Sequence, residues 1–227
     1  MTSAYRILFA VYDGMTHLDF TGPHQFFSHM PESEVTVASL AGGNIASDGL
    51  TFGDTRRLAE VESCDLLCIP GGPAAMKVAL DEAFLREIRR LAASASYVTA
   101  VCTGSLILGA AGLLRGRRAA CHWASRHLLS HYGAHPEAAR VVQDGNIVTG
   151  GGVTAGMDFA LTMIAEIRGE QAARAVQLAL EYAPEPPFDS GRPEQAPKQL
   201  VESFKRRMAP ILATREAEVR KAAARLG

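Results

Sequence analysis

The sequence predicts an α/β protein with a doubly wound, mostly parallel sheet that carries helices on both faces. Short apolar runs alternate with longer stretches of helical periodicity, which is the pattern of strands linked by crossover helices. The runs end at turn residues such as Asp13-Gly14 and Pro70-Gly71-Gly72-Pro73. The chain of 227 residues has no internal repeat, so we expect a single domain over residues 1–227, with a helical tail from about residue 198.

The predicted elements follow one another in strand–helix order. The first helix tolerates Pro23 because proline fits the first turn of a helix. Gly49 and Asp144-Gly145-Asn146 each stand between two short runs and predict hairpins. In chain order, the elements are a strand at 5–12, a helix at 19–30, a strand at 34–40, a hairpin at 44–53, a strand at 65–69, a helix at 81–95, a strand at 97–101, a helix at 103–114, a hairpin at 140–150, helices at 154–167 and 171–182, a proline-rich loop at 183–197 and a helix at 198–226.

Composition and charge argue against several classes of function. A net charge of -1 and a pI near 6.7 give no basis for binding nucleic acid or an anionic membrane, and they favour a small substrate without strong charge. The sequence shows no secretory signal and no apolar stretch near the roughly 20 residues of a membrane span. Four cysteines are too few for a disulfide scaffold in a chain of this length, so the sequence favours the cytoplasm.

The strongest functional signal is Cys102, which stands where the strand at 97–101 runs directly into a helix. Ala100 and Gly104, two residues to either side, are small enough to let strand and helix approach each other in a nucleophile elbow. The positive end of the helix dipole is expected to favour the thiolate form of the cysteine. The alternative is that Cys102 is simply a small buried hydrophobic residue.

Two further segments follow strands of the same sheet, and such sheets bind ligands beyond the carboxyl ends of their strands. After the strand at 65–69, the Gly72 amide would pair with the amide of Thr103 as an oxyanion hole, although an ordinary strand-ending turn explains the glycines equally well. Asp19 follows the first strand, and a carboxyl group beside a thiol can hold, accept or return a proton. The alternative for Asp19 is the common role of a helix N-cap.

Other motifs are less informative. His122, which precedes Trp123, either lies near Cys102 or is a core histidine whose hydrogen bonds are satisfied. The segment 150–155 matches a loose dinucleotide fingerprint, but no ribose-binding acid follows it. Cys64 and Cys68 lack the paired spacing of a zinc site. We therefore expect neither a cofactor nor a metal.

Taken together, the motifs resemble the ThiJ/PfpI group of the class I glutamine amidotransferase-like superfamily over nearly the whole chain. The segments that carry the resemblance are 18–24, 69–72, 101–105, 122–123, 150–156 and 181–184. Within that group, the chain looks most like the isocyanide (isonitrile) hydratases, and Asp19 is informative because many relatives carry glutamate there. One departure is Ala120-Cys121, where relatives commonly have threonines.

The resemblance implies a flavodoxin-like fold, a homodimer, and hydration of isocyanides to N-substituted formamides without a cofactor. Cys102 would attack the terminal carbon to give a thioimidate, and Asp19 would handle the proton for nitrogen and then activate water. The amides of Gly72 and Thr103, with Gly71 beside them, would stabilise the developing charge. The candidate pocket residues are His122, Trp123 and Val153.

Three other functions stay open on the sequence alone. One is a glyoxalase- or deglycase-like enzyme that acts on small carbonyl compounds, and another is a redox sensor that uses oxidation of Cys102. The third is the ligand-sensing module of a transcription regulator. The 30 residues after Pro197 are too few for two helix-turn-helix units, which argues against the regulator.

Overall fold

Eight strands form one sheet in the computed structural model, which describes residues 4–227. In chain order the strands are β1 (Tyr5–Ala10), β2 (Ser33–Ser39), β3 (Gly43–Ser47), β4 (Leu50–Arg57), β5 (Leu66–Ile69), β6 (Tyr97–Val101), β7 (Arg118–Ala119), β8 (His135–Pro136), β9 (Val141–Asp144) and β10 (Ile147–Gly150). Across the sheet the order is β3-β4-β2-β1-β5-β6-β10-β9, while β7 and β8 pair with each other in a small second sheet.

The large sheet is parallel except at its two edges. Hairpins place β3 antiparallel to β4 and β9 antiparallel to β10, and every other neighbouring pair is parallel. Strands β1, β5 and β6 consist almost entirely of buried side chains, because a parallel sheet covered on both faces has no solvated side. The predicted flavodoxin-like, doubly wound sheet and both predicted hairpins are confirmed.

Helices cover both faces of the sheet. They are α1 (His17–Phe27), α2 (Ala75–Ala79), α3 (Glu82–Ala92), α4 (Gly104–Ala110), α5 (Ala155–Arg168), α6 (Glu170–Ala179) and α7 (Lys198–Ala223). Helix α5 packs against α1 and α6, whereas α2 packs against α3, α4 and α7. The six predicted helices are present, with ends that differ from prediction by up to four residues. Within residues 4–227, no helix is both long and apolar enough to cross a membrane.

The sequence patterns missed five short elements. These are α2, β7, β8 and the two 3-10 helices Leu58–Glu60 and Arg126–Tyr132. Elements of two to seven residues place too few side chains on one face to show a period, so tertiary contacts rather than local pattern define them. Segment 183–197 is irregular, as predicted.

The order of the strands brings four functional segments together. Strands β1, β5, β6 and β10 are neighbours and parallel, so their carboxyl ends meet at one edge of the sheet. Asp19 follows β1, Gly71-Gly72 follows β5, Cys102 follows β6, and the segment 151–153 follows β10. Residues that lie far apart in the chain therefore converge on a single site.

Candidate active site

Cys102 occupies the sharp turn between β6 and α4. Its backbone φ is 59°, a left-handed conformation that costs a non-glycine residue on the order of 1–2 kcal/mol. None of the other three cysteines, all within the described residues, has a positive φ. The Cys102 N–H donates to the carbonyl oxygen of Gly150 at 3.0 Å, which holds the turn against β10. The strained elbow predicted from the spacing of small residues is present.

Close backbone contacts explain two of the glycines around this turn. A Cβ on Gly104 would lie 2.3 Å from the carbonyl oxygen of Ile69, and a Cβ on Gly71 would lie 2.4 Å from the amide nitrogen of Thr103. Neither position has room for a side chain, so the end of β5 can press against the first turn of α4. This contact fixes the backbone on both sides of Cys102.

Asp19 lies in the first turn of α1 and is completely buried. Its Oδ2 accepts a hydrogen bond from the Gly71 N–H at 2.9 Å, across 52 residues of sequence. Its Oδ1 accepts no hydrogen bond from any described residue. The N-cap position belongs to Thr16, and the Asp19 side chain makes no capping bond to its own helix. The interpretation of Asp19 as a helix cap is therefore wrong.

The electrostatics of the site couple Asp19 to Cys102. Burial raises the pKa of the Asp19 carboxyl to about 7, although the Gly71 amide and the Cys102 thiol both favour the carboxylate. Burial also raises the pKa of the Cys102 thiol well above its usual value, and the negative charge of Asp19 raises it further. The amide of Thr103 opposes this rise too weakly to cancel it. Burial therefore opposes the thiolate form that the start of α4 is expected to favour.

The predicted oxyanion residues lie together, but they already hydrogen-bond within the protein. The Gly72 N–H donates to Thr103 Oγ1 at 2.8 Å, and the Gly71 N–H is engaged by Asp19. The Thr103 amide faces the Cys102 thiol. Gly71, Gly72 and Thr103 thus form a network that orients Asp19 and Cys102.

The candidate pocket residues line one cavity of about 270 Å³, whose lining does not include Cys102 or Asp19. His122, Trp123 and Val153 are among its walls, together with Cys121 and the Gly151-Gly152 backbone. Gly151 directly follows the Gly150 carbonyl that Cys102 binds, so the cavity adjoins the elbow. His122 is half-buried, and burial together with the charge of Arg215 lowers its pKa, which favours a neutral imidazole.

Backbone hydrogen bonds hold the segment Ala120-Cys121, where the sequence departs from its relatives. Ser105 Oγ donates to the Ala120 carbonyl at 2.7 Å, and the Ala120 N–H donates to Thr149 Oγ1 at 2.8 Å. These bonds tie the segment to α4 and β10. Burial raises the pKa of the Cys121 thiol to about 12, and it does the same for Cys64 and Cys68. All three thiols are buried, and none of them occupies a strained turn like that of Cys102.

Sequence reasoning missed Arg215, which reaches the site from the C-terminal helix. Its Nη1 donates to the buried Ser125 Oγ at 2.8 Å, and its charge acts on both His122 and Cys121. Nothing in the local sequence distinguishes Arg215 from the other basic residues of α7. Trp123 also packs against α7, with its ring centroid 5.0 Å from that of Phe204.

Comparison with known proteins gives consistent relatives. A family model described as the DJ-1/PfpI family matches residues 5–166. An isonitrile hydratase from Pseudomonas putida is 46% identical over 224 residues, which is 98% of each chain. The crystal structure of a ThiJ/PfpI family protein from Pseudomonas syringae is 37% identical, with a TM-score of 0.91 over 97% of this chain and 91% of that chain. A deglycase from Pyrococcus abyssi is 34% identical over 119 residues, covering 51% of this chain and 72% of its own.

Proposed function

The chain belongs to the DJ-1/PfpI family, and on that premise we propose that it hydrates isocyanides to N-substituted formamides, with Cys102 as the nucleophile. The observation that carries the proposal is the pairing of a strained elbow cysteine with the buried carboxyl of Asp19, which has an unpartnered oxygen. The similarity to an isonitrile hydratase over 98% of both chains supports the choice of reaction.

The first half of the reaction joins sulfur to carbon. The terminal carbon of R–N≡C accepts a soft nucleophile, and a thiol is the soft nucleophile at this site. Because the Cys102 pKa is high, a base must remove the thiol proton as sulfur attacks, and the Asp19 carboxylate is that base. The Sγ–C bond forms, and the proton passes through Asp19 to the same carbon, giving the thioimidate R–N=CH–Sγ.

The second half adds water to the thioimidate. Asp19, again a carboxylate, takes a proton from water as the oxygen bonds to carbon, and nitrogen gains a proton to give R–NH–CH(OH)–Sγ. Collapse breaks the C–Sγ bond, releases R–NH–CHO and returns a proton to Cys102. The sum is one isocyanide plus one water, so the scheme needs no oxidant, metal or organic cofactor. In this proposal, the Thr103 amide stabilises charge on sulfur, and Gly71 and Gly72 keep Asp19 and Thr103 in place.

A steady-state assay tests the reaction. We expect the purified protein to convert cyclohexyl isocyanide to N-cyclohexylformamide, with the formamide measured by chromatography. Methylglyoxal is the comparison substrate, because it separates hydration from the glyoxalase- or deglycase-like alternative. Turnover of methylglyoxal but not of the isocyanide would contradict the proposed reaction and favour the glyoxalase- or deglycase-like enzyme. Consumption of neither substrate would contradict both enzymes and favour the redox sensor.

The rate should depend on pH through Asp19. Asp19 acts as a base, so the active form is the carboxylate and activity rises as pH increases through its pKa of about 7. We expect kcat/KM for an isocyanide to fall about tenfold per pH unit well below that midpoint. The Cys102 thiol remains protonated over this range. A kcat/KM that stays flat between pH 5.5 and 8, after subtraction of the uncatalysed rate, would contradict this assignment.

We also place the protein in the cytoplasm as a homodimer. All four cysteines are free, which suits a reducing compartment. Four large apolar side chains near the C-terminus are at least half exposed, and a partner subunit would cover such groups. They are Leu178, Phe188, Leu200 and Ile211. Sedimentation equilibrium should give twice the chain mass of 24.2 kDa, and a monomer at micromolar concentration would contradict the dimer.

A further inference from the structure

The turn that follows β10 fixes the backbone of the nucleophile. The Gly150 carbonyl accepts the hydrogen bond from the Cys102 N–H at 3.0 Å, so the position of this turn sets the position of the elbow. Helix α5 begins just after the turn and packs against α1, the helix that carries Asp19. A Cβ on Gly156 would lie 2.9 Å from Cδ of Pro23 on α1, so the two helices are in close contact there. A shift of the first turn of α5 would therefore disturb both parts of the site.

Asp158, in the first turn of α5, uses both oxygens of its carboxylate to hold this region. Its Oδ2 pairs with Nε of Arg140, and its Oδ1 accepts a hydrogen bond from the Tyr182 hydroxyl at 3.1 Å. Arg140 in turn binds both sides of the turn after β10. Its Nη2 donates to the Thr154 carbonyl at 3.0 Å, and its own carbonyl accepts from the Gly151 N–H at 2.9 Å. The three side chains therefore form a chain of bonds that ends at the turn beside the nucleophile.

Tyr182 joins this chain of bonds to α1. Its ring meets the ring of the buried Phe26 on α1 edge to face, with the centroids 5.2 Å apart. Tyr182 is itself fixed by Glu181, whose φ of 48° is left-handed, and by two hydrogen bonds with Gln177. Burial and the charge of the neighbouring carboxylate raise the pKa of Tyr182, so its hydroxyl stays a donor near neutral pH. Segment 181–184, which carries part of the resemblance to the family, thus contacts both helices of the site.

We propose that Tyr182 is a positioning residue for the reaction, whose hydroxyl keeps Cys102 and Asp19 aligned. It acts through the Asp158–Arg140 pair, which holds the turn after β10, and the inference rests on the proposed isocyanide hydration. Tyr182 lies outside the cavity lining, so it affects the alignment of thiol and carboxyl rather than the binding of substrate. A displacement of reacting groups by about 1 Å can cost about 100-fold in rate, so even a small shift of the turn is measurable.

A pair of matched substitutions tests the role. Tyr182→Phe removes the hydroxyl and keeps the ring against Phe26, and we expect kcat for cyclohexyl isocyanide to fall about fivefold to tenfold while KM changes less than about twofold. The control is Tyr97→Phe, because the Tyr97 hydroxyl donates to Glu166 Oε1 at 2.9 Å at the opposite end of α5. Both variants lose one bond from tyrosine to a carboxylate of the same helix. Equal kcat values in the two variants, or a change confined to KM, would overturn the proposal.

A double-mutant cycle tests the route from Tyr182 to the turn. Arg140→Gln breaks the chain of bonds beyond Asp158, so the hydroxyl of Tyr182 has nothing left to hold. In that background, Tyr182→Phe should lower kcat by less than about twofold, because residues of one hydrogen-bond network are not additive. The same fall in kcat in both backgrounds would overturn the route through Asp158 and Arg140.

Amide hydrogen exchange separates the positioning role from the reaction itself. Exchange of the Cys102 N–H reports its bond to the Gly150 carbonyl and needs no turnover. We expect NMR to show this exchange about fivefold to tenfold faster in Tyr182→Phe than in Tyr97→Phe. Absence of isocyanide turnover by the wild type would remove the proposed function, whereas faster exchange in Tyr182→Phe would still support its role in holding Cys102. Equal exchange in the two variants would overturn that role.

Discussion

Replacing Cys102 with serine should lower kcat/KM for isocyanide hydration by about 10⁴-fold or more, which is the usual loss when a covalent nucleophile is removed. A serine hydroxyl is a harder nucleophile with a much higher pKa, and the isocyanide carbon favours a soft one. We expect Cys102→Ala to lower kcat/KM by as much as Cys102→Ser. Both substitutions are small and leave the turn between β6 and α4 intact, so far-ultraviolet circular dichroism and the melting temperature should change little.

Cys64→Ala provides the matched control. Cys64 is as deeply buried as Cys102, but it precedes β5 and lies away from the carboxyl edge of the sheet. Its loss creates a small cavity and should lower stability by about 1 kcal/mol without changing kcat. More than a few per cent of activity in folded Cys102→Ser protein would mean that the nucleophile is another group.

The elbow was predictable because its causes are local. Ala100, Cys102 and Gly104 lie within five consecutive residues, and their spacing predicts a strand that turns directly into a helix. The convergence of Asp19 with Cys102 followed from strand order, since both follow parallel strands. The short elements were missed because they have no period of their own.

Other properties of the site depend on contacts that no local pattern contains. The Gly71 amide that holds Asp19 is 52 residues away in the chain. Burial and the charge of Asp19 raise the pKa of Cys102, and neither can be inferred from the helix N-terminus alone. Arg192 and Arg215 lie about 90 and 110 residues after Cys102. Arg192 lines the cavity from loop 183–197, and Arg215 on α7 reaches the buried Ser125.

Asp19→Asn should lower kcat/KM by roughly 10²–10⁴, the usual contribution of a positioned acid or base. Asparagine is nearly isosteric, and its side-chain oxygen can still accept the hydrogen bond from the Gly71 N–H. It cannot take the thiol proton, so the rise of activity near pH 7 should disappear as well. Asp19→Glu keeps the ionisable group but moves it by one methylene, and it should retain more activity than Asp19→Asn.

The same substitution should make the folded protein more stable above pH 7. The Asp19 pKa is about 7 in the folded state against 3.8 for the exposed group, so the folded state binds the proton more tightly. The free energy of unfolding therefore falls as pH rises from about 4 to about 7, and it stays at the lower value at higher pH. Asparagine does not ionise, so Asp19→Asn should be more stable than the wild type by on the order of 2–4 kcal/mol at pH 8, with a difference that shrinks toward pH 4. Denaturant unfolding at both pH values measures the difference. An active Asp19→Asn enzyme whose stability matches the wild type at pH 8 would show that Asp19 is neither the base nor a strained buried charge.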